Sequence, residues 1–108
     1  MTKNHDRYTY RLIWSEQDQE HVGLCAEFPS LSWLDKTPDK ALAGIRKLVK
    51  GCLDDMVKNR ENAPEPIAIK SYSGKFMVRV PPETHRMLSI QAAESGISLN
   101  RLVSSKLN

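Results

Sequence analysis

Near the C-terminal end, Lys75-Phe76-Met77-Val78-Arg79-Val80 alternates its residue types. In an extended segment this sets Phe76, Val78 and Val80 on one side and Lys75, Met77 and Arg79 on the other. Two cations flanking a soft apolar side chain suit the edge of a base pair. Lysine and arginine donate to the O6 and N7 acceptors of guanine, and methionine offers apolar contact. Further on, Ser98-Leu99-Asn100 opens a helix, where a hydroxyl cap and free N–H groups at the positive end of the dipole suit a phosphate. Together these are groups for double-stranded DNA: the outward strand residues would read bases and the helix start would set register. The plainer readings are a solvated strand face and an ordinary helix cap.

The remaining reactive side chains do not assemble in this way. His5, His21 and His85 are far apart, and Cys25 and Cys52 form no CxxC pair or metal-ligand spacing, so both are expected as reduced, packed thiols. No metal site and no cofactor is expected. Trp14 and Trp33 are expected in the core of so small a protein, with Trp33, next to a turn, the better partner-binding candidate.

The elements that must position the basic strand are short. Pro81-Pro82 stops the strand, and Pro82-Glu83 starts a helix running to about Ser95, with Met87, Leu88, Gln91 and Ala92 along one side. Gly96 supplies a left-handed cap, and Ser98 caps a last helix with Leu99, Leu102, Val103 and Leu107 facing inward. Residues 71–108 thus read strand-helix-helix. Units below roughly 40 residues seldom fold without a disulfide, metal or partner, so the lone strand is expected to pair with the same strand of a second chain, giving a homodimer whose ribbon fits the major groove. The chain's net charge of +3 lies entirely after Lys70, with five Lys/Arg against two Asp/Glu, whereas the residues before are balanced at eleven each.

Residues 1–70 read β-β-β-α-β. Tyr8, Tyr10, Leu12 and Trp14 alternate as a half-buried strand, Val22, Leu24, Ala26 and Phe28 as a second, Leu31 to Leu34 form a third, and Ile67 to Ile69 a short last one. Thr37-Pro38-Asp39 starts a long helix by cap, N1 proline and first-turn carboxylate. Its apolar face is Leu42, Ile45, Leu48, Val49, Cys52, Leu53 and Met56, and Gly44 and Gly51 could admit the strands closely. The polar, proline-punctuated run 59–66 stops it. No apolar run approaches the roughly 18 residues of a membrane span, and the start Met1-Thr2-Lys3-Asn4-His5-Asp6 has no signal-peptide hydrophobic region, so a cytoplasmic protein is expected.

From Lys75 to about Val103 the chain resembles the ribbon-helix-helix repressors, through Arg79-Val80-Pro81, the Gly96 break and Ser98-Leu99-Asn100. The resemblance implies that Lys75, Met77 and Arg79 read bases, although Met77 departs from the polar reader that relatives often carry. The earlier runs Phe28-Pro29-Ser30-Leu31, Trp33-Leu34 and Thr37-Pro38-Asp39-Lys40-Ala41-Leu42-Ala43-Gly44-Ile45 resemble the HicB antitoxin family. That resemblance implies an α+β chain in two domains: a partial ribonuclease H-like domain over 1–70 that binds and blocks a HicA-type, mRNA-cleaving toxin, and a ribbon-helix-helix domain over 71–108 that represses the shared operon by binding its operator. Whether the first segments also pair to make a tetramer stays open. A ribonuclease H-like domain that cuts nucleic acid needs clustered carboxylates to hold divalent metal. Tyr8 to Trp14 carry none, Asp54 and Asp55 diverge on a helix, and Glu27 has no obvious partner, so a binder rather than an enzyme is expected. The competing reading is a stand-alone repressor whose first segment senses a ligand or mediates oligomerisation.

Overall fold

The computed structural model describes residues 5–108; of the start expected to lack an export signal, residues 1–4 lie outside the described part. Three strands, β1 (Tyr10–Ser15), β2 (Glu20–Cys25) and β3 (Ser32–Asp35), precede three helices, α1 (Pro38–Lys58), α2 (Pro82–Glu94) and α3 (Leu99–Leu107), an α+β chain. It forms two compact units that meet in sequence between Tyr72 and Ser73. No helix among the described residues is long and apolar enough to cross a membrane.

In the first unit the strands form an antiparallel sheet in the order β1-β2-β3. Its pairing puts Tyr10 beside Cys25, Leu12 and Trp33 on either side of Gly23, and Trp14 and Asp35 on either side of His21. Strand side chains alternate between faces, so all of these share one face. Helix α1 covers it. Thr37 caps the helix by accepting the Lys40 N–H at 3.2 Å, and Pro38 occupies its first turn. Ile45, Val49 and Leu53 are buried with Tyr8 and Cys25, while Tyr10, Phe28, Leu31 and Leu48 pack around them. The Tyr8 and Phe28 rings meet edge to face at 5.4 Å.

The covered face is not the one that β2's apolar alternation suggests. Val22, Leu24 and Ala26 were expected inward; instead Gly23 and Cys25 are buried, and Val22 lies between Ile13 and Leu34 on the opposite face. The reason is the close approach of α1. A Cβ on Gly23 would stand 2.6 Å from the Ala41 carbonyl oxygen and 2.8 Å from Ile45 Cγ2, so only a residue without a side chain admits the helix there. On α1 the buried stripe is Ala41, Gly44, Ile45, Val49 and Leu53, and Leu42 is exposed at its margin. Gly44 lies against the Trp33 indole, whereas a Cβ on Gly51 would meet nothing within 4 Å.

Two further expectations are corrected. Ile67 to Ile69 form a turn, not a strand, because the amides of Ile69 and Lys70 bond back to the Pro66 carbonyl. The Ile67 amide goes instead to a side chain, the Glu27 carboxylate, at 2.9 Å. Glu27, considered in the sequence only as a lone carboxylate for metal, is the fastening point of this segment. It also accepts the Thr9 N–H at 2.9 Å and the Thr9 hydroxyl at 3.2 Å, and Cys25 Sγ lies 3.5 Å away. Nearby, the Tyr8 hydroxyl donates to the Pro64 carbonyl at 2.7 Å, and Pro66 is fully buried. Cys25 and Cys52 are free thiols. Burial pushes the Cys25 thiol pKa up, and chiefly burial raises the Tyr10 phenol to about 12.

α1 ends in a Schellman arrangement, with Glu61 N–H on Met56 O at 2.8 Å and Arg60 N–H on Val57 O at 3.2 Å. This requires a left-handed residue after the cap, and the position is held by Arg60 at φ 57°. A non-glycine residue there costs about 1 kcal/mol. Arg60→Gly is therefore expected to stabilise the protein by about that amount, read as a higher denaturant midpoint at unchanged m-value; an unchanged or lower midpoint would contradict the cap assignment.

Burial works to raise the Glu27 pKa, but the N–H bonds from Ile67 and Thr9 outweigh it and hold the carboxyl below its ordinary value. A depressed carboxyl stabilises the fold above its unfolded-state pKa and loses that contribution as pH falls through the folded one. Wild type should therefore lose stability below the ordinary carboxylate range, and Glu27→Gln should remove this step while lowering stability at neutral pH. Parallel stability–pH curves for the two proteins would refute the assignment.

Candidate nucleic-acid interface

The second unit, Ser73–Asn108, brings together the basic segment and the start of α3 within one stretch of chain. Pro82 stands at the beginning of α2, and Gly96 ends that helix at φ 69°. The Ile97 amide bonds to Ala92 O and the Gly96 amide to Ala93 O, each at 3.1 Å, which is again the Schellman pattern, here with the expected glycine. Ser98 then caps α3 by accepting the Arg101 N–H at 3.1 Å. That leaves the first-turn N–H groups of Leu99 and Asn100 without intrahelical acceptors, as every helix start does.

Where α2 and α3 meet, Ala92 and Leu102 are buried, and Leu88, Ile97, Leu99 and Val103 are partly covered. Leu107, expected in the inward stripe, is exposed near the C-terminal end of α3. Met87 and Ile90 on α2 are exposed as well.

Lys75–Val80 belongs to neither a helix nor a strand of the single chain. A strand needs a ladder partner, and none of the described strands pairs with this segment. Its entry is set by Gly74 at φ 82° and by Ser73, whose hydroxyl oxygen accepts the Lys75 N–H at 3.0 Å. Lys75, Met77 and Arg79 are exposed, Met77 by 85 %. So are Phe76, by 76 %, and Val78 and Val80, the side expected to seek a core. Ser73-Gly74 closes the polar run 70–74 whose composition suggests a hinge before the alternating segment, and the bond from Lys75 to Ser73 is what the sequence did not disclose. Arg86, the other cation near this segment, stands 3.7 Å from Glu83 one helical turn away, an exposed pair of small energetic weight.

The candidate partner-binding residue, Trp33, lies in the other unit, on β3 against Gly44. It is 40 % exposed and Trp14 is 49 % exposed, so the expectation of two core tryptophans is corrected. The hydrophobic centre of that unit is filled by α1's aliphatic stripe, which leaves the indoles at its margin. Among the described residues no three His, Cys, Asp or Glu side chains come together in a group able to hold a metal ion.

Compared with known families, residues 58–107 match the profile of the HicB family. The match begins at the last residue of α1 and runs through the linker and nearly all of the second unit, just under half of the chain. The runs between Phe28 and Ile45 that resemble the same family lie outside the matched residues. No curated protein and no solved structure matches the chain.

The Ser98 hydroxyl holds the start of the helix on which Leu102 is carried. Ser98→Ala is expected to destabilise the second unit by about 1 kcal/mol, measured as faster amide exchange over α3 than over α1. Equal exchange in variant and wild type would show that the cap bond contributes nothing.

Proposed function

We propose that this protein is a HicB-type antitoxin with two jobs. The first unit binds and neutralises a HicA-type toxin that cleaves mRNA, and the second represses the operon encoding both by binding operator DNA as a homodimer. The observation that carries this reading is the HicB-family match over residues 58–107, which falls on the unit whose sequence resembles a ribbon-helix-helix repressor. Exposure supports it. A unit of so few residues with Phe76, Val78, Val80, Met87, Ile90 and Leu107 all open to solvent has a core of little more than Ala92 and Leu102. Pairing Lys75–Val80 with its copy across a two-fold axis satisfies the backbone of both strands and buries the apolar side. The other side then presents two sets of Lys75, Met77 and Arg79 to a major groove, while the α3 starts at Ser98, Leu99 and Asn100 hold phosphates on either flank.

In this reading the first unit is a binder, not a catalyst. Glu27 is occupied in holding Thr9 and Ile67, and the exposed Asp54 and Asp55 stand on α1 apart from the strands. One observation favours a second reading: the family match does not reach the sheet. A stand-alone repressor whose first unit senses a ligand or mediates oligomerisation accounts for that equally well.

Expression of the adjacent open reading frame alone, then with this protein, separates the two. Growth arrest relieved by co-expression is expected; a harmless neighbour rejects the antitoxin reading. On DNA from upstream of the operon, Arg79→Ala is expected to abolish binding without unfolding the protein. Wild-type affinity should fall with salt by a slope of about −0.9 in log K per phosphate neutralised. Undiminished binding by Arg79→Ala would overturn the ribbon assignment.

A further inference from the structure

Both tryptophans of the chain stand on the sheet face that α1 covers, at one end of the first unit, Trp33 with its indole against Gly44 of the helix and each still 40 % or more exposed. Trp14 pairs with His21 and Trp33 with Gly23, two strands and one face-row apart, which strand geometry makes about 12 Å between their Cα atoms. Each indole has a carboxylate beside its N–H. Trp14 Nε1 donates to Glu16 Oε2 at 2.7 Å, and Trp33 Nε1 stands 3.5 Å from Asp35 Oδ2. His21 meets the Trp14 ring edge to face at 5.0 Å and so steadies it from the side.

Two half-exposed indoles are costly to leave open to water unless something covers them, since tryptophan carries a large apolar area. Their surroundings select what covers them. The hairpin from Trp14 to His21 holds Glu16, Asp18 and Glu20 and no lysine or arginine, and Asp35 stands beside His21 on the same end. An apolar partner would have to strip water from these carboxylates without compensation. A guanidinium stacked on an indole face gains both a cation–π contact and the neighbouring carboxylate.

We infer that this end of the sheet is the docking surface for an arginine-rich protein face, with Trp14–Glu16 and Trp33–Asp35 as two seats for cationic side chains. The inference rests on the antitoxin reading in naming the partner: a protein that cuts RNA carries a basic surface for the phosphate backbone, and covering that surface keeps RNA from it. One contact thus accounts for both binding and neutralisation.

The chain's two tryptophans make its own fluorescence the readout. A nona-arginine peptide added to the full-length protein is expected to change the emission saturably, with nona-glutamate inert. Glu16→Lys combined with Asp35→Asn should weaken the nona-arginine titration at least tenfold, as should Trp14→Ala, read through Trp33. Asp54→Lys with Asp55→Lys, at exposed positions on α1, should leave it within twofold. Thermal melts on every variant identify any loss of fold. Equal weakening by the α1 pair would reduce the effect to net charge and overturn the inference, as would the absence of any nona-arginine titration.

The adjacent gene's product supplies the second arm. If it is toxic and binds Trp14→Ala and Glu16→Lys/Asp35→Asn as tightly as wild type, the docking surface is wrong and the antitoxin reading stands. If it is harmless, the antitoxin reading falls, and the nona-arginine titration decides the surface alone.

Discussion

The seating of α1 on Gly23 is the constraint from which the first unit follows. With the Ala41 carbonyl already where a Cβ would be, the helix can approach β2 only at that residue. Once it does, the pleat settles every neighbouring side chain. Tyr10, Leu12 and Cys25 turn toward Ile45, Val49 and Leu53, and Ile13, Val22 and Leu34 turn away. A shift of one residue in β2 would exchange the two sets, so a single missing side chain specifies the sheet's register against its helix. It also determines what lies at the margin. The aliphatic stripe of α1 fills the centre with Tyr8 and Cys25, and the two tryptophans are left where the covered face meets solvent.

The second unit obeys the opposite constraint. It has the local signals of a defined structure, a helix begun by proline, a glycine stop and a second helix capped by Ser98, yet it buries little of its apolar surface. Local capping is worth a few kcal/mol at most, whereas the ordering of some thirty residues costs about 1 to 2 kcal/mol each in backbone entropy alone. The difference has to come from apolar burial, and within one chain the burial between Ala92 and Leu102 does not provide it. The proposed two-fold ribbon is the arrangement that uses the exposed Phe76, Val78 and Val80 for that purpose and frees the cations beside them for a polyanion.

These two units differ in how far their sequences disclose them. Signals that act within a few residues were legible: Thr37-Pro38 at the start of α1, Gly96 at the end of α2 and Ser98 at the start of α3 all act where their chemistry places them. Contacts between distant residues were not. In β2 both parities are apolar enough to face a core, Val22 and Leu24 on one side, Gly23 and Cys25 on the other, and the choice lies with a helix some twenty residues on. Ile67 to Ile69 have a strand's composition, but their amides go elsewhere, that of Ile69 back to the Pro66 carbonyl and that of Ile67 to Glu27, forty residues away. The fastening role of Glu27 was hidden for the same reason: both its N–H partners, Thr9 and Ile67, belong to other segments. The candidate DNA-contacting residues were legible as an alternation, but the ladder that would align them needs a second chain.

The bonds at Pro64 and Ile67 have one further consequence for the proposed dimer. The Tyr8 hydroxyl, the buried Pro66 and the Glu27 carboxylate attach the linker to the first unit almost to its end. Only the few residues between Ile69 and Lys75 then remain to span the gap to the ribbon, and at about 3.3 Å per residue they reach roughly 20 Å. In the proposed dimer each first unit would therefore be joined to the ribbon by a tether no longer than this.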